Sequence, residues 1–134
     1  MKLGIFLNTQ YSPGASLEPE VDNFLAQVRT AREVGLSSIW VGQHMGTGPL
    51  QMFQMLPLLA RIVPEAEGMT IGSCVVLLAM QNPLQIAEEM AALDWFSGGR
   101  LIMGAGIGYR REEFEAAGVA MTSRGQRFEE ALKI

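Results

Sequence analysis

Apolar positions along this chain fall into two alternating rhythms. Residues 3–7, 38–42, 70–78 and 100–103 are short, nearly unbroken apolar runs, the pattern of strands buried in a parallel sheet. Between them, apolar residues recur three and four apart, the period of a helix with one buried side. The first such segment opens at Glu18-Pro19-Glu20, carries Val21, Phe24, Leu25, Val28 and Ala31 on one stripe, and closes at Gly35. The second runs over residues 50–63, with Pro57 either kinking it or sitting in its first turn and Pro64 stopping it. Residues 111–117 predict a short helix ended by Gly118. Residues 123–134 predict another, with Phe128 and Leu132 on one side.

The stretch from Thr70 to Gly108 organises the rest. Its opening run is β-branched and apolar on both faces, so both faces are expected to be covered. Asn82 as N-cap and Pro83 at the first helical position then start a helix. Ile86, Ala87, Met90, Ala91 and Leu93 form its apolar side, and Ser97-Gly98-Gly99 ends it. A second strand follows at once. Strand, helix and strand in about forty residues make a right-handed βαβ unit with parallel strands. Gly104, Gly106 and Gly108 alternate at the end of that strand and leave one face bare. Such a stripe admits a close backbone or a flat ligand, or else marks a bulge or helix packing. The dinucleotide fingerprint G-x-G-x-x-G is absent, because Tyr109 stands where it needs glycine.

Four βα units in succession predict an α/β fold with a parallel sheet, either open or rolled into a barrel. Four units are half of a (β/α)₈ TIM-type barrel, which needs about 250 residues. Residues 1–134 therefore read as one truncated N-terminal half, or as a half-barrel whose edges require a partner chain or a second copy.

Composition narrows the class. With 49% hydrophobic and 18% charged residues the chain is set to fold, and a net charge of -4 gives no footprint for nucleic acid. The apolar runs are too short to span a bilayer, and Met1-Lys2 leads straight into a strand rather than a signal peptide. A lone cysteine fits a reducing compartment, so a cytoplasmic protein is expected. One histidine and one cysteine do not make the usual zinc site, and no metal is expected.

Ligands of parallel α/β sheets sit at the carboxyl ends of the strands. That rim comprises residues 6–8, 43–45, 74–78 and 104–109. His44, the single histidine, lies in it, either as a general acid/base or hydrogen-bond donor, or as a loop histidine with its bond satisfied. No partner for it is visible in sequence. Glu88 with Glu89, and Glu112 with Glu113, read as solvated helix faces. Cys74, among apolar neighbours, reads as an inert packed thiol. Met52 and Met55 read as core, or as a surface awaiting a partner.

Three segments carry a family resemblance: SIWVGQHM, NPLQIAEEMAALDWFSGGRLIMGAGIG and REEFEAAGV. The LDxxSxGR pattern from Leu93 to Arg100, running into GxGxG, is the most specific. Over its whole length the chain resembles the N-terminal half of the bacterial luciferase-like flavin-dependent oxidoreductases, a (β/α)₈ barrel family. The resemblance implies reduced flavin mononucleotide (FMN), or a deazaflavin, at the carboxyl end of the barrel, and often a separate flavin reductase. It implies a catalytic role for His44, the first histidine of the family's E-H-H segment. Gln43 and Met45 depart from that segment. It also places a non-prolyl cis peptide at Cys74–Val75, with Ser73 beside it. The implied cofactor-binding residues are Phe6, Ser73, Cys74, Val75, Gly104, Gly106 and Tyr109, the glycines letting the strand approach the ring. Ile107 stands where several relatives place an arginine that meets the flavin phosphate, which implies that the phosphate site lies in the second half of the barrel, with Arg124 as the alternative.

The resemblance leads to an FMN-dependent, two-component monooxygenase acting with oxygen on a small organic substrate. A deazaflavin-dependent dehydrogenase and a non-catalytic flavin-binding or assembly subunit are the alternatives. A homo-oligomer is expected.

Overall fold

The computed structural model describes all residues 1–134. Its elements follow in chain order: β1 (Gly4–Leu7), β2 (Gln10–Tyr11), α1 (Glu18–Glu33), β3 (Ser38–Val41), β4 (Gln51–Met52), α2 (Met55–Ile62), β5 (Thr70–Leu77), α3 (Pro83–Ser97), β6 (Leu101–Gly106), α4 (Arg111–Ala116) and α5 (Arg124–Ala131). β1, β3, β5 and β6 lie side by side in that order as one sheet, each pair parallel. The α/β reading with a parallel sheet is thus what the chain adopts.

α1, α2 and α3 pack on one face of the sheet. Leu7, Ile39, Val41, Ile71 and Val76 point into a core shared with Phe24 and Val28 of α1, Met55, Leu59 and Ile62 of α2, and Ile86, Met90 and Leu93 of α3. The opposite face is open. Its middle row runs Phe6, Trp40, Gly72 and Ile102 across the four strands. The Trp40 ring lies over Gly72, where a Cβ would collide with it, while Phe6 and Ile102 are about half exposed.

Local signals explain the well-placed boundaries. Asn82 accepts from the backbone N–H groups of Leu84 and Gln85, as an N-cap should, and Gly98 ends α3 in the left-handed conformation. The LDxxSxGR segment is a clamp. Asp94 accepts from the Leu101 N–H, Ser97 Oγ accepts from the Arg100 N–H, and Arg100 donates to the carbonyls of Ala66 and Met69. These bonds fix the starts of β5 and β6 at the amino end of the sheet.

Other expectations change. Residues 50–63 are not one helix: β4 precedes α2, and Pro57 sits in the first turn of α2. β4 pairs antiparallel with β2, Gln10 opposite Met52 and Tyr11 opposite Gln51, tying together the loops that follow β1 and β3. Tyr11, Phe24 and Phe53 then stack edge to face beneath this ribbon. Met55 is core, whereas Met52 is only part-buried. Leu132 is exposed rather than packed beside Phe128. Ala87 and Ala91, assigned to the apolar side of α3, face outward instead, because α3 is apolar on two flanks and only one meets the sheet. β5 was expected to be covered on both sides, but the open face leaves Cys74 exposed.

Candidate active site

β5 holds one residue more than β6 across a single step: Ser73 stands opposite Met103 and Val76 opposite Ala105, with Cys74 and Val75 against Gly104 alone. The Cys74–Val75 peptide bond within this bulge is cis. Ser73 Oγ donates to the Gly104 carbonyl and accepts from its N–H, both at 2.9 Å, stitching the bulge to β6. A Cβ on Gly104 would strike the Ser73 carbonyl oxygen, and one on Gly106 would strike the Val75 side chain. The glycine stripe therefore makes room for the neighbouring strand's bulge. Gly108, at φ +80°, leaves space for Met80 and Phe114.

Beside the bulge, at the carboxyl ends of β1, β3 and β5, lies a cleft of about 310 Å³. Among its walls are Phe6, Gly42, His44, Cys74, Val75 and Tyr109. Of the predicted residues, Phe6, His44, Cys74, Val75 and Tyr109 thus come together. Ser73 is buried behind this wall, and neither Gly104 nor Gly106 lines the cleft. Cys74 is not an inert packed thiol, since the bulge turns it out to the open face. The β2–β4 ribbon borders the same cleft through Gln10 and Met52.

The partner that His44 lacked in sequence is Glu113. This residue is not a solvated acid: it is 0% exposed, in the first turn of α4. Its Oε1 accepts from His44 Nδ1 at 2.7 Å and from the Met45 backbone N–H at 3.1 Å. Its Oε2 is buried without a hydrogen-bond partner, and the nearest cation, Arg110, approaches Oε1 only to 3.9 Å. A carboxylate on Nδ1 fixes the proton there and leaves Nε2 as the ring's free acceptor. The Tyr109 ring stands edge-on to the imidazole, with centroids 6.4 Å apart. Gln54 donates to the His44 carbonyl at 3.3 Å, so the backbone is also held.

Gln43, a departure from the E-H-H segment, has structural work. Its Oε1 accepts from the Leu77 N–H at 2.8 Å and from Gln81 Nε2 at 2.9 Å, joining the ends of β3 and β5. Met45 contributes its backbone N–H to Glu113 and needs no particular side chain for that. Arg124 lies away from the cleft, lining a separate recess with Ile107, Arg111 and Thr122.

The residues present suit a planar redox ring by their chemistry: an aromatic, a thiol and an aliphatic side chain form the wall, with one imidazole aimed by a buried carboxylate. No helix is long and apolar enough to cross a membrane.

Known proteins resemble this chain in sequence or in fold. Limonene 1,2-monooxygenase of Rhodococcus erythropolis is 24% identical over 131 residues, covering 98% of this chain and 34% of that protein. The oxygenating constituent of 3,6-diketocamphane monooxygenase from Pseudomonas putida, solved with FMN, superposes with a TM-score of 0.84 at 22% identity, over 98% of this chain and 37% of that one. An F420-dependent secondary alcohol dehydrogenase, solved with an F420–acetone adduct, gives 0.80 at 23% identity, over 98% and 40%. The chain spans about a third of the length of the curated relatives it matches. The family described as luciferase-like monooxygenase matches residues 1–134. By that match over its full length, the chain belongs to the luciferase-like monooxygenase family.

Proposed function

We propose that this chain forms the flavin-binding half of a two-component monooxygenase that uses reduced FMN and oxygen on a small organic substrate. The observation that carries the reading is the His44–Glu113 pair at the mouth of the cleft beside the Cys74–Val75 bulge. Reduced flavin, when bound, supplies the electrons and the site of oxygen activation. The protein's share is to seat a flat ring between Phe6 and the Cys74–Val75 wall and to shield it from water. Glu113 keeps the Nδ1 proton of His44 in place, so that Nε2 accepts a proton from, or returns one to, a group in the cleft. Arg124 and Arg111, which share a recess near the start of α5, are the candidate phosphate contacts.

The sheet supports half of a (β/α)₈ barrel: four parallel strands in sequence order, every long helix on one face, and two edges without a neighbour. A further set of strands is needed to enclose the ring, and the 134-residue chain alone is expected to show no turnover. A flavin reductase supplying reduced FMN, a soluble cytoplasmic setting and a homo-oligomeric state complete the reading.

Anaerobic titration of the full-length protein with reduced FMN, followed by quenching of tryptophan fluorescence, tests the cofactor site. Binding that weakens at least tenfold in Val75→Asp supports it, and no binding of any flavin refutes it. A second reading, a deazaflavin-dependent dehydrogenase, is favoured by the similarity to the F420-dependent alcohol dehydrogenase. Tighter binding of a reduced deazaflavin than of reduced FMN, with no oxygen consumed by the full-length protein, selects that reading.

A further inference from the structure

We propose that Gln43 orients the substrate, its Nε2 amide donating to an uncharged carbonyl or hydroxyl oxygen presented in the cleft beside His44. The inference rests on the monooxygenase reading and adds to it a class of substrate and the residue that recognises it.

The direction of the amide follows from its other end. Gln43 Oε1 accepts from the Leu77 backbone N–H at 2.8 Å and from Gln81 Nε2 at 2.9 Å. A backbone N–H only donates, so the atom facing it is the oxygen and the nitrogen lies on the other side. A flip of the amide would set N–H against N–H. Gln43 is 8% exposed, and its Nε2 has no acceptor within the chain. Glu113 Oε2 is the one buried side-chain atom wholly enclosed without a partner, so Gln43 Nε2 keeps an opening, and Gln43 lines the cleft. Donors held in a nearly buried side chain and left free call for an acceptor from outside the chain.

The next residue sets the chemistry of that acceptor. His44 gives Nδ1 to Glu113 and has Nε2 left to accept. One fixed donor and one fixed acceptor thus stand on consecutive residues of one wall. A carbonyl oxygen satisfies the donor, and a hydroxyl satisfies both. None of the residues lining the cleft is Asp, Glu, Lys or Arg, so an ionised group brought against this wall finds no counter-charge. Height selects substrate over cofactor. The amide is tied to Leu77, two residues beyond the Cys74–Val75 wall assigned to the ring, toward the carboxyl end of β5.

The test uses the full-length protein with reduced FMN, kept anaerobic so that nothing turns over. Saturation-transfer NMR reads the affinities of cyclohexanone, cyclohexanol and cyclohexanecarboxylate. The wild type should bind the ketone and the alcohol, and the carboxylate more weakly by about tenfold or more. Gln43→Glu keeps an oxygen for Leu77 and Gln81 but turns the donor into an acceptor. It should weaken cyclohexanone by about tenfold or more and cyclohexanol by less than about threefold, since a hydroxyl can donate to the new carboxylate. Disturbed packing would weaken both alike. The circular dichroism and the affinity for reduced FMN should stay those of the wild type. If Gln43→Glu does not fold, the wild-type ranking of neutral and ionised probes decides. Failure of the wild type to bind FMN would refute the flavin reading itself. With FMN bound, several results would each overturn the proposal: no binding of either neutral probe, a carboxylate held as tightly as the ketone, or ketone binding indifferent to Gln43→Glu. Equal loss of ketone and alcohol would do the same, as would a tenfold loss of FMN affinity, which would put the amide on the cofactor.

Discussion

Replacing Glu113 should change which nitrogen of His44 carries the proton, and the size of the change follows from the two bonds at Oε1. The imidazole Nδ1 donates over 2.7 Å to a carboxylate that is wholly buried. A hydrogen bond to a charged acceptor contributes roughly 1.5–3 kcal/mol, which favours the Nδ1–H tautomer by roughly 10- to 150-fold. Glu113→Gln keeps an oxygen for both His44 and Met45 but removes the charge. The bond then falls to roughly 0.5–1.5 kcal/mol and the bias to roughly 2- to 12-fold. Glu113→Leu removes the bias altogether. Its effect on stability should be small, because two opposing terms meet: the His44 and Met45 N–H groups lose their acceptor, while a buried carboxylate with an unpartnered Oε2 disappears. His44 is the only histidine, so a long-range proton–nitrogen correlation spectrum of the chain, prepared without a histidine tag, reports one imidazole. It should be recorded with the imidazole neutral, where the two nitrogens are distinguishable. The wild type should show the Nδ1–H pattern and Glu113→Leu should lose it. An Nε2–H pattern in the wild type, or a spectrum indifferent to Glu113→Leu, would refute the reasoning.

Gly104→Ala should destabilise the chain by about 1–3 kcal/mol in urea unfolding, because the new methyl meets the Ser73 carbonyl, which belongs to backbone and gives way poorly. An unchanged midpoint would show that the bulge does not need that space. Asn82→Ala removes the acceptor for the Leu84 and Gln85 N–H groups and should cost about 1 kcal/mol in the same assay, with Asn82→Asp near neutral. Burial, and then the charge and hydrogen bond of Glu20, push the Tyr11 phenol up from 10.0 to about 12. The folded state thus holds this proton more tightly than the unfolded chain, so the stabilisation is complete below pH 10 and is lost as pH rises through about 12. Ultraviolet titration of a Tyr109→Phe variant should show the late phenolate, and an ordinary midpoint near 10 would contradict it.

The central βαβ unit was legible because each of its signals is local. Asn82 caps within its own turn, Gly98 takes the left-handed conformation, and the β5 run is long and rich in β-branched residues. His44 stood out for the same reason, as a polar residue two steps past an apolar run. Glu113 did not, because what distinguishes it from Glu112 is contact with a residue sixty-nine positions away. Nothing in REEFEAAGV states which of its acids turns inward. The β2–β4 ribbon was hidden by its size, since a two-residue strand has no periodicity to detect. The spacing of the glycine stripe is compatible with more than one cause, and what faces Gly104 and Gly106 is the bulge of the neighbouring strand.

The clamp of Asp94, Ser97 and Arg100 has a consequence for how kinship and chemistry relate in this chain. It secures the floor of the molecule, whereas His44 and Glu113 stand at the opposite, upper rim. The words by which ancestry is most readily recognised are thus spoken far from where a reaction would occur. Selection can rewrite the rim while the floor holds its shape, so shared descent in this lineage guarantees a chassis and leaves the choice of substrate free.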